Sequence, residues 1–219
     1  MYLPKHFKED RLEVLAAFIH DHPLATLVSL GNGALIATHL PMLWDPEPAP
    51  FGTLSGHIAR PNPHGRVARG GVDSLAIFLG PQAYVSPSWY PAKRQHGKVV
   101  PTWNYVAVHA NGPLKLIDDV GWLRAFVTRL TALQEIPFAD PWHVTDAPES
   151  FVEQMLRGII GIEIPVRRFE GKWKLSQNRS ADDYAGTIEG LRSRGDREST
   201  ALAEAMEAVT AARCRTGAW

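Results

Sequence analysis

The fold of this chain is decided by the stretch Leu24-Ala25-Thr26-Leu27-Val28-Ser29-Leu30-Gly31-Asn32-Gly33-Ala34-Leu35-Ile36-Ala37-Thr38-His39-Leu40-Pro41-Met42-Leu43-Trp44. It contains two largely apolar, β-like runs, 24–30 and 34–44, which are separated by Gly31-Asn32-Gly33. Glycine and asparagine tolerate the positive φ angles that a tight hairpin turn requires. The stretch therefore predicts a β-hairpin.

Further strand-like runs follow the hairpin along the chain. They are predicted at 51–57, 74–79, 82–85, 100–110, 114–117, 159–169 and 172–176. Gly80-Pro81 separates two of these runs, and Asn111-Gly112 and Glu170-Gly171 predict two more hairpins. The segment 45–50 contains three prolines, which cannot donate hydrogen bonds to a sheet, so it is predicted to be a solvated loop.

Apolar residues at helical spacing predict peripheral helices at 8–20, 62–69, 122–133, 148–156, 180–191 and 199–213. Asp118-Asp119 and Ser180 are suited to cap the helices that follow them. With about seven to nine short strands, the pattern favours a mainly β protein, a β-barrel decorated by helices. Strands and helices do not alternate as in a doubly wound parallel sheet, and the GxGxxG and P-loop motifs are absent from the sequence.

Composition limits the class of protein. The chain has 219 residues, so we expect one domain over 1–219 with a helical appendage at 180–219. Lys plus Arg and Asp plus Glu are equal at 23 each, so no net positive charge attracts nucleic acid or an anionic membrane. The single cysteine, Cys214, allows no internal disulfide, and we expect it to be a bystander. No signal peptide or membrane span is recognisable, so we expect a cytoplasmic protein without a membrane partner.

Polar residues concentrate in four segments, of which two precede residue 65. In the first, Thr38 and His39 interrupt an apolar strand, so they either bond within the core or face a ligand. In the second, 55–64, a strand is expected to end at Gly56, and the donors Ser55, His57, Arg60 and Asn62 stand before a short helix. A glycine for close approach, an arginine fork and a helix N-terminus suit an anion such as phosphate. A proline-stiffened turn with solvated side chains is the alternative.

The third and fourth segments lie further along the chain. The third, 84–105, interleaves aromatic and basic residues, which suits a flat aromatic ligand beside a phosphate, a structured surface loop or, least of the three, stacked bases. The fourth places Gln177, Asn178 and Arg179 at the end of a predicted hairpin, where they could recognise a heterocycle or cap the next helix. We expect no metal site and no catalytic triad, since HExxH and GxSxG are absent from the sequence.

Five motifs run in order along nearly the whole chain: Met1-Tyr2-Leu3-Pro4-Lys5-His6-Phe7, Gly56-His57-Ile58-Ala59-Arg60-Pro61-Asn62-Pro63, Gly80-Pro81-Gln82-Ala83-Tyr84-Val85-Ser86-Pro87-Ser88-Trp89-Tyr90, Val100-Pro101-Thr102-Trp103-Asn104-Tyr105 and Lys174-Leu175-Ser176-Gln177-Asn178-Arg179. With them the chain resembles the PaiB family of FMN-binding negative transcriptional regulators, within the FMN-binding split-barrel superfamily. One departure is Gly65, where the resemblance leads us to expect a larger, often aromatic residue.

The resemblance implies a split β-barrel homodimer that binds FMN in clefts at the subunit interface. It implies phosphate and ribityl contacts from the second segment, and we expect Thr38 and His39 to lie along the isoalloxazine. We expect the partner chain to complete the pocket. The full set of expected cofactor-binding residues is Thr38, His39, Ser55, Gly56, His57, Arg60, Asn62, Trp103, Asn104, Gln177, Asn178 and Arg179.

Three functions remain open, because a fold does not fix a function. The family name implies a regulator that acts on DNA directly or indirectly, although no helix-turn-helix is evident in the sequence. The second is a flavin-dependent oxidoreductase using NAD(P)H, in which FMN carries the hydride and the protein positions the substrate. The third is a haem-binding or haem-degrading protein with His39, His57 or His96 as the axial ligand.

Overall fold

The computed structural model describes residues 1–31, 33–69 and 71–216, with side chains up to residue 211. These residues form strands β1 Lys8–Glu9, β2 Leu24–Gly31, β3 Ala34–Asp45, β4 Thr53–Ala59, β5 Asp73–Val85, β6 Thr102–Pro113, β7 Lys115–Ile117, β8 Ile159–Pro165 and β9 Arg168–Lys174. The helices are α1 Leu12–Asp21, α2 His64–Ala68, α3 Pro91–Gln95, α4 Val120–Glu135, α5 Glu149–Arg157, α6 Ala181–Arg194 and α7 Arg197–Thr216. Three short 3-10 helices lie at Lys5–Phe7, Pro87–Trp89 and Val144–Asp146. The protein is therefore mainly β with helices, as the sequence predicts, and its paired strands are antiparallel.

The chain divides into two compact units. The first unit comprises Met1–Asp10, Leu79–Val108 and Glu170–Trp219, and the second comprises Arg11–Phe78 and His109–Phe169. Strands β5, β6 and β9 each contribute residues to both units.

The second unit is built on a sheet whose strand order is β5-β2-β3-β4-β8-β7. The hairpin predicted from the 24–44 stretch is confirmed, with Leu24 paired to Pro41 and Gly31 paired to Ala34. Asn32, which the prediction placed in the turn, lies outside the described residues. On β2 the side chains of Ala25, Leu27 and Ser29 are buried, in keeping with the alternation of a strand that has one buried face.

Helix α4 covers part of this sheet. Its first turn is capped as predicted, because the Asp119 carboxylate accepts a 2.6 Å hydrogen bond from the Trp122 backbone N–H. The indole of Trp122 lies over β8, where a Cβ at Gly161 would stand 2.4 Å from the ring. The helix thus reaches the sheet through a glycine that leaves room for an aromatic ring.

The first unit contains strands in the order β1-β9-β6-β5 together with the helix pair α6 and α7. The Ser180 hydroxyl caps α6 by accepting a hydrogen bond from the Asp183 N–H, as predicted. Trp89 packs on α6, where a Cβ at Gly190 would stand 2.2 Å from its indole. Cys214 belongs to α7, but its side chain lies outside the described residues.

Two predicted turns are wrong, and the glycine of each sits inside a strand. Gly80-Pro81 lies within the continuous strand β5, and Asn111-Gly112 lies within β6. At Gly112 a Cβ would stand 2.2 Å from the Pro165 carbonyl oxygen, so this glycine allows a close approach of backbone and forms no turn. Strand β7 pairs with β8, which places it away from the predicted β6–β7 hairpin.

The predicted last hairpin is also wrong. Glu170-Gly171 lies inside β9, where Gly171 pairs with Glu9 of β1. Strand β8 lies between β4 and β7 instead. The first predicted helix is shorter than expected because residues 8–9 form β1, and β4 runs through Gly56 as far as Ala59.

The segment after β3 is a loop, as the three prolines predict. Within the described part of the chain, none of the helices is long and apolar enough to cross a bilayer.

Candidate functional site

Two predicted site residues from different segments meet in the second unit. Thr38 lies on β3, and Asn62 precedes helix α2. The Asn62 Nδ2 donates a long 3.4 Å hydrogen bond to the Thr38 hydroxyl, and both side chains are half-buried. The Asn62 Oδ1 accepts a 2.9 Å hydrogen bond from the backbone N–H of His64, which fixes how the amide is turned. The fold therefore brings together polar groups from two of the four segments.

His64 connects this pair to the interior. Its side chain is fully buried, and its Nδ1 lies 3.0 Å from the Thr38 hydroxyl. Its Nε2 lies 2.8 Å from the Ser29 hydroxyl, which is bonded in turn to the Ser74 hydroxyl at 2.5 Å. Burial lowers the pKa of His64, so the imidazole is neutral around pH 7. A buried polar chain of this kind is stable because each member has a partner.

His64, Ser29 and Ser74 are absent from the predicted site. Ser29 and Ser74 stand in apolar runs of the sequence. A lone polar residue in such a run indicates a buried hydrogen bond, and this is the signal that could have identified them. Which residue provides that partner depends on the pairing of β2 with β5, where Ser29 lies opposite Ser74.

His39 points away from this cluster. Its Nδ1 lies 3.0 Å from the Thr26 hydroxyl on β2, and the pair is exposed. Neighbouring residues of a strand face opposite sides of the sheet, so Thr38 and His39 do not line one surface. The expectation that both lie along the same ring is not supported by this arrangement.

Strand β4 carries three more predicted residues, and two of them, Gly56 and His57, lie against apolar or aromatic neighbours. Gly56 faces Leu40, whose Cδ1 would stand 2.9 Å from an added Cβ. His57 meets the ring of Phe126 on α4 edge-on, with centroids 5.7 Å apart, and burial lowers its pKa. Its buried Nδ1 has no hydrogen-bond partner among the described residues. Ser55 is 8% exposed.

Arg60 is bonded to a carboxylate of the same chain. Its two terminal nitrogens donate to the two oxygens of Asp118 at 3.0 and 2.8 Å, and its Nε donates to the Arg157 carbonyl at 3.0 Å. The hydrogen bonds between Arg60 and Asp118 raise the pKa of Arg60 and lower the pKa of Asp118. Two of the five guanidinium N–H groups have no acceptor in the part of the chain that the structure describes, and a phosphate contact from Arg60 remains a prediction.

Gly65 follows the cluster, at the position where the resemblance leads us to expect a larger residue. A Cβ there would meet only Ile58, at 3.8 Å, which is ordinary van der Waals contact. The glycine thus leaves open space beside α2 and causes no strain.

The predicted residues of the first unit take mainly structural positions. Asn104 is fully buried, and its Nδ2 donates to the Ser176 hydroxyl at 2.9 Å. Gln177 closes its own turn, because its Oε1 accepts from the Leu175 N–H at 2.8 Å and its Nε2 donates to the Trp173 carbonyl at 2.6 Å. Their ligand-binding roles stay predictions.

Three other predicted residues of this unit are more accessible. Trp103 is 51% exposed, and its Nε1 donates to the Gln82 Oε1 at 3.1 Å. Asn178 is exposed. Arg179 is half-buried and holds its guanidinium 4.9 Å from the ring centroid of Tyr90. Of these, Trp103 offers the largest open surface for a flat ligand.

The three histidines considered for haem lie in different surroundings. His39 is exposed, His57 is packed under α4, and the Nδ1 of His96 accepts a 3.0 Å hydrogen bond from the Lys98 N–H. Over the described residues, no group of three or more His, Cys, Asp or Glu side chains is arranged to hold a metal ion.

The sequence of residues 1–168 matches the family model described as "Putative FMN-binding domain". The chain belongs to this family. FMN is the cofactor that membership of the family assigns. Among relatives, the chain is 34% identical to "Protease synthase and sporulation protein PAI 2" of Bacillus subtilis, an alignment that covers 94% of this chain and 97% of that protein. It is 32% identical to an uncharacterized protein of Emericella nidulans, covering 89% and 92% of the two chains.

Solved structures share the fold at much lower identity. The FAD and heme binding protein from Mycobacterium smegmatis matches with a TM-score of 0.58 at 14% identity, over 81% of this chain and 78% of that one. The flavocytochrome Anf3 from Azotobacter vinelandii matches with a TM-score of 0.54 at 15% identity, over 82% and 75%. These matches show a common architecture of antiparallel sheet and helices.

Proposed function

We propose that this chain is a PaiB-type FMN-binding regulatory protein that acts as a split-barrel homodimer. The observation that carries the proposal is the meeting of Thr38 and Asn62, two residues expected to bind the cofactor. Their hydrogen-bonding groups are half-buried, and the buried imidazole of His64 is hydrogen-bonded to the Thr38 hydroxyl and holds it in place. This donor set fits a polar heterocycle such as the flavin ring.

The cofactor would be held by residues of two kinds. Thr38 and Asn62 would bind polar atoms of the ring, and Arg60 would offer its two remaining N–H groups to the phosphate. FMN supplies hydride and electron transfer when it is bound. The protein's own contribution would be to bind and orient the ring and to shield one side of it from water.

The proposed dimer rests on an apolar sheet face in the second unit. On β2 and β3 the side chains opposite to the buried face include Leu24, Leu30 and Leu35, which are 65%, 59% and 75% exposed. Exposed leucines grouped on one face of a sheet mark an interaction surface. His39 belongs to the same face, so a second copy seated there would cover an expected cofactor residue.

The dimer is tested with Leu35→Glu, which places a charge in the proposed interface. Sedimentation analysis should show a dimer for the unmodified protein and a monomer for the variant. Phe151→Glu is the matched control, because Phe151 is 51% exposed and lies on helix α5, which packs against β8 and α4. A monomeric unmodified protein, or a dimer that tolerates Leu35→Glu, would contradict the proposed interface.

A regulatory role is supported by the family resemblance. Because Lys plus Arg balance Asp plus Glu at 23 each, DNA binding would need a local basic patch or a partner protein. Retention of specific DNA at moderate salt by the FMN-loaded protein would support direct regulation.

The alternative is a flavin-dependent oxidoreductase, in which NADH or NADPH reduces the bound FMN and an acceptor reoxidises it. It is favoured by the buried neutral imidazole of His64, which is linked to half-buried Thr38 and can exchange protons along hydroxyl groups.

The decisive experiment is to add FMN to the purified protein, remove free flavin by desalting and record the absorption spectrum. Retained flavin is the expected result, and it leads directly to tests of reduction by NADH and of DNA retention. A folded protein that retains no flavin would overturn the cofactor proposal and would bring haem titration forward, with a Soret band as its readout.

A further inference from the structure

The hydrogen-bond partners of Thr38 determine which way its hydroxyl proton points. A hydroxyl has one hydrogen to donate and two lone pairs that accept. The Asn62 Nδ2 can only donate, so Thr38 accepts there. The Thr38 hydrogen is therefore available for the Nδ1 of His64, 3.0 Å away.

This assignment fixes the rest of the chain. With Nδ1 of neutral His64 accepting, Nε2 carries the proton and donates to the Ser29 hydroxyl at 2.8 Å. Ser29 then donates to Ser74, which donates to the Val72 carbonyl at 3.4 Å. Every hydroxyl donates once and all donors run in one direction, from Asn62 inward. The consistent direction supports the assignment of the imidazole tautomer.

Among the described residues, two hydrogen-bonding groups of the cluster have no partner, and both lie at its half-buried end. The Thr38 oxygen keeps one lone pair, since it accepts once and donates once. The Asn62 amide keeps its second N–H, since its Oδ1 is turned to the His64 backbone and its first N–H to Thr38. The cluster therefore presents an acceptor and a donor next to each other, on atoms 3.4 Å apart.

An imide presents the complementary pair, an N–H beside a carbonyl oxygen. The pyrimidine edge of an oxidised flavin ring is such an imide, with N3–H flanked by the carbonyls at C2 and C4. Phosphate oxygens mainly accept, and the ribityl hydroxyls rotate about single bonds, so neither group holds a donor and an acceptor beside each other in a fixed orientation. An acceptor fixed beside a donor is thus better matched to the ring edge than to the phosphate or ribityl chain.

We propose that Thr38 and Asn62 determine specificity by reading the imide edge of the flavin ring. The Thr38 hydroxyl oxygen accepts from N3–H, and the Asn62 Nδ2 donates to a neighbouring carbonyl. His64 is the positioning residue, because its Nδ1 accepts a hydrogen bond from the Thr38 hydroxyl. The outward lone pair of the Thr38 oxygen is then left for the ligand. The inference rests on the proposed function and gives Asn62 a different role from the phosphate or ribityl contact that the sequence led us to expect.

The test compares FMN with N3-methyl-FMN, in which a methyl group replaces the N3 hydrogen. Dissociation constants of both are measured by flavin fluorescence for the unmodified protein and for Thr38→Val. The unmodified protein should prefer FMN. In Thr38→Val the FMN affinity should fall about 3- to 10-fold, as expected for one lost hydrogen bond. The affinity for N3-methyl-FMN should fall far less, so the ratio of the two dissociation constants should shrink by the same factor.

Two further variants control for unrelated effects. Thr128→Val makes the same substitution on the exposed surface of helix α4, outside the expected cofactor site, and should keep the preference. Thr38→Ser retains the hydroxyl and should also keep the preference for FMN. This variant tests the assignment even if Thr38→Val folds poorly. Asn62→Asp replaces the outward donor by an acceptor and should weaken binding of both flavins.

The outcomes separate the two proposals. If the unmodified protein retains FMN, either of two results would overturn the assignment of the imide edge. One is an unchanged preference for FMN in Thr38→Val, and the other is a lost preference for FMN in Thr38→Ser. If the folded, unmodified protein retains neither flavin, the proposed function itself falls and the assignment falls with it.

Discussion

Replacing His64 by alanine should destabilise the protein markedly, although the side chain is polar. The imidazole is fully buried and makes hydrogen bonds to Thr38 and Ser29 at 3.0 and 2.8 Å. Each hydrogen bond contributes roughly 1 kcal/mol. The cavity left by the ring adds roughly 1–2 kcal/mol. The free energy of unfolding should therefore fall by about 3–4 kcal/mol.

The assay is urea unfolding followed by circular dichroism near pH 7.5, with thermal unfolding alongside. At ~2–4 °C per kcal/mol for a chain of this size, the midpoint should fall by about 6–16 °C. His20→Ala is the matched control, because its side chain is 66% exposed and is bonded to neighbouring Asp21 at 3.1 Å. We expect the control to change stability by less than ~0.5 kcal/mol.

The loss of stability caused by His64→Ala should also depend on pH. Burial lowers the pKa of His64 below 6.5, so the unfolded chain binds the proton more readily than the folded one. The stability contributed by the neutral imidazole is present above about pH 6.5 and is lost as the pH falls toward the folded pKa. The gap between the unmodified protein and His64→Ala should therefore narrow as the pH falls from about 7.5 to about 5.5. A loss below ~1 kcal/mol, or a gap that widens on acidification, would refute the reasoning.

Three other substitutions test separate parts of the structure. Arg60→Ala should weaken FMN binding by about 1.5–3 kcal/mol and leave riboflavin, which lacks the phosphate, unaffected; equal losses for both flavins would remove Arg60 from the phosphate site. Gly190→Ala should destabilise the protein by about 1–3 kcal/mol, because the new Cβ would stand 2.2 Å from the Trp89 ring. Alanine is normally favoured over glycine inside a helix, so a variant that is stabilised in thermal unfolding would contradict this packing. Asn104→Leu should lower the free energy of unfolding by about 1–3 kcal/mol in urea, because it breaks the buried bond to Ser176; a neutral result would count against that bond.

Where neighbours in sequence are also neighbours in space, the sequence predicted the structure well. The β2–β3 hairpin depends on a glycine-containing turn between two apolar runs, and its register follows from that turn. The cap at Asp119 depends on a backbone N–H three residues away. Local chemistry alone is sufficient for such features. The family resemblance, carried by short motifs, likewise led to the FMN-binding family that the comparison with known proteins shows.

The candidate site could be predicted only as a set of segments. The sequence marks Thr38 and Asn62 as polar residues in unusual places, and the tertiary structure brings them together across 24 positions. It also turns His39 to the other face of β3 and pairs Arg60 with Asp118, which lies 58 residues further along the chain. Such pairings depend on strand order, which no local pattern specifies.

By itself, the sequence determined the mainly β class with peripheral helices, the first hairpin, the helix caps at Asp119 and Ser180, and the family. Only the tertiary structure decided which glycines turn the chain and which let two segments approach, as Gly112 does beside Pro165. It also decided which polar residues are satisfied by one another and which keep a donor or a lone pair for a ligand. The physical reason is that turns and caps are stabilised by bonds between near neighbours. A buried hydrogen bond between distant residues forms only when the whole sheet has fixed their positions.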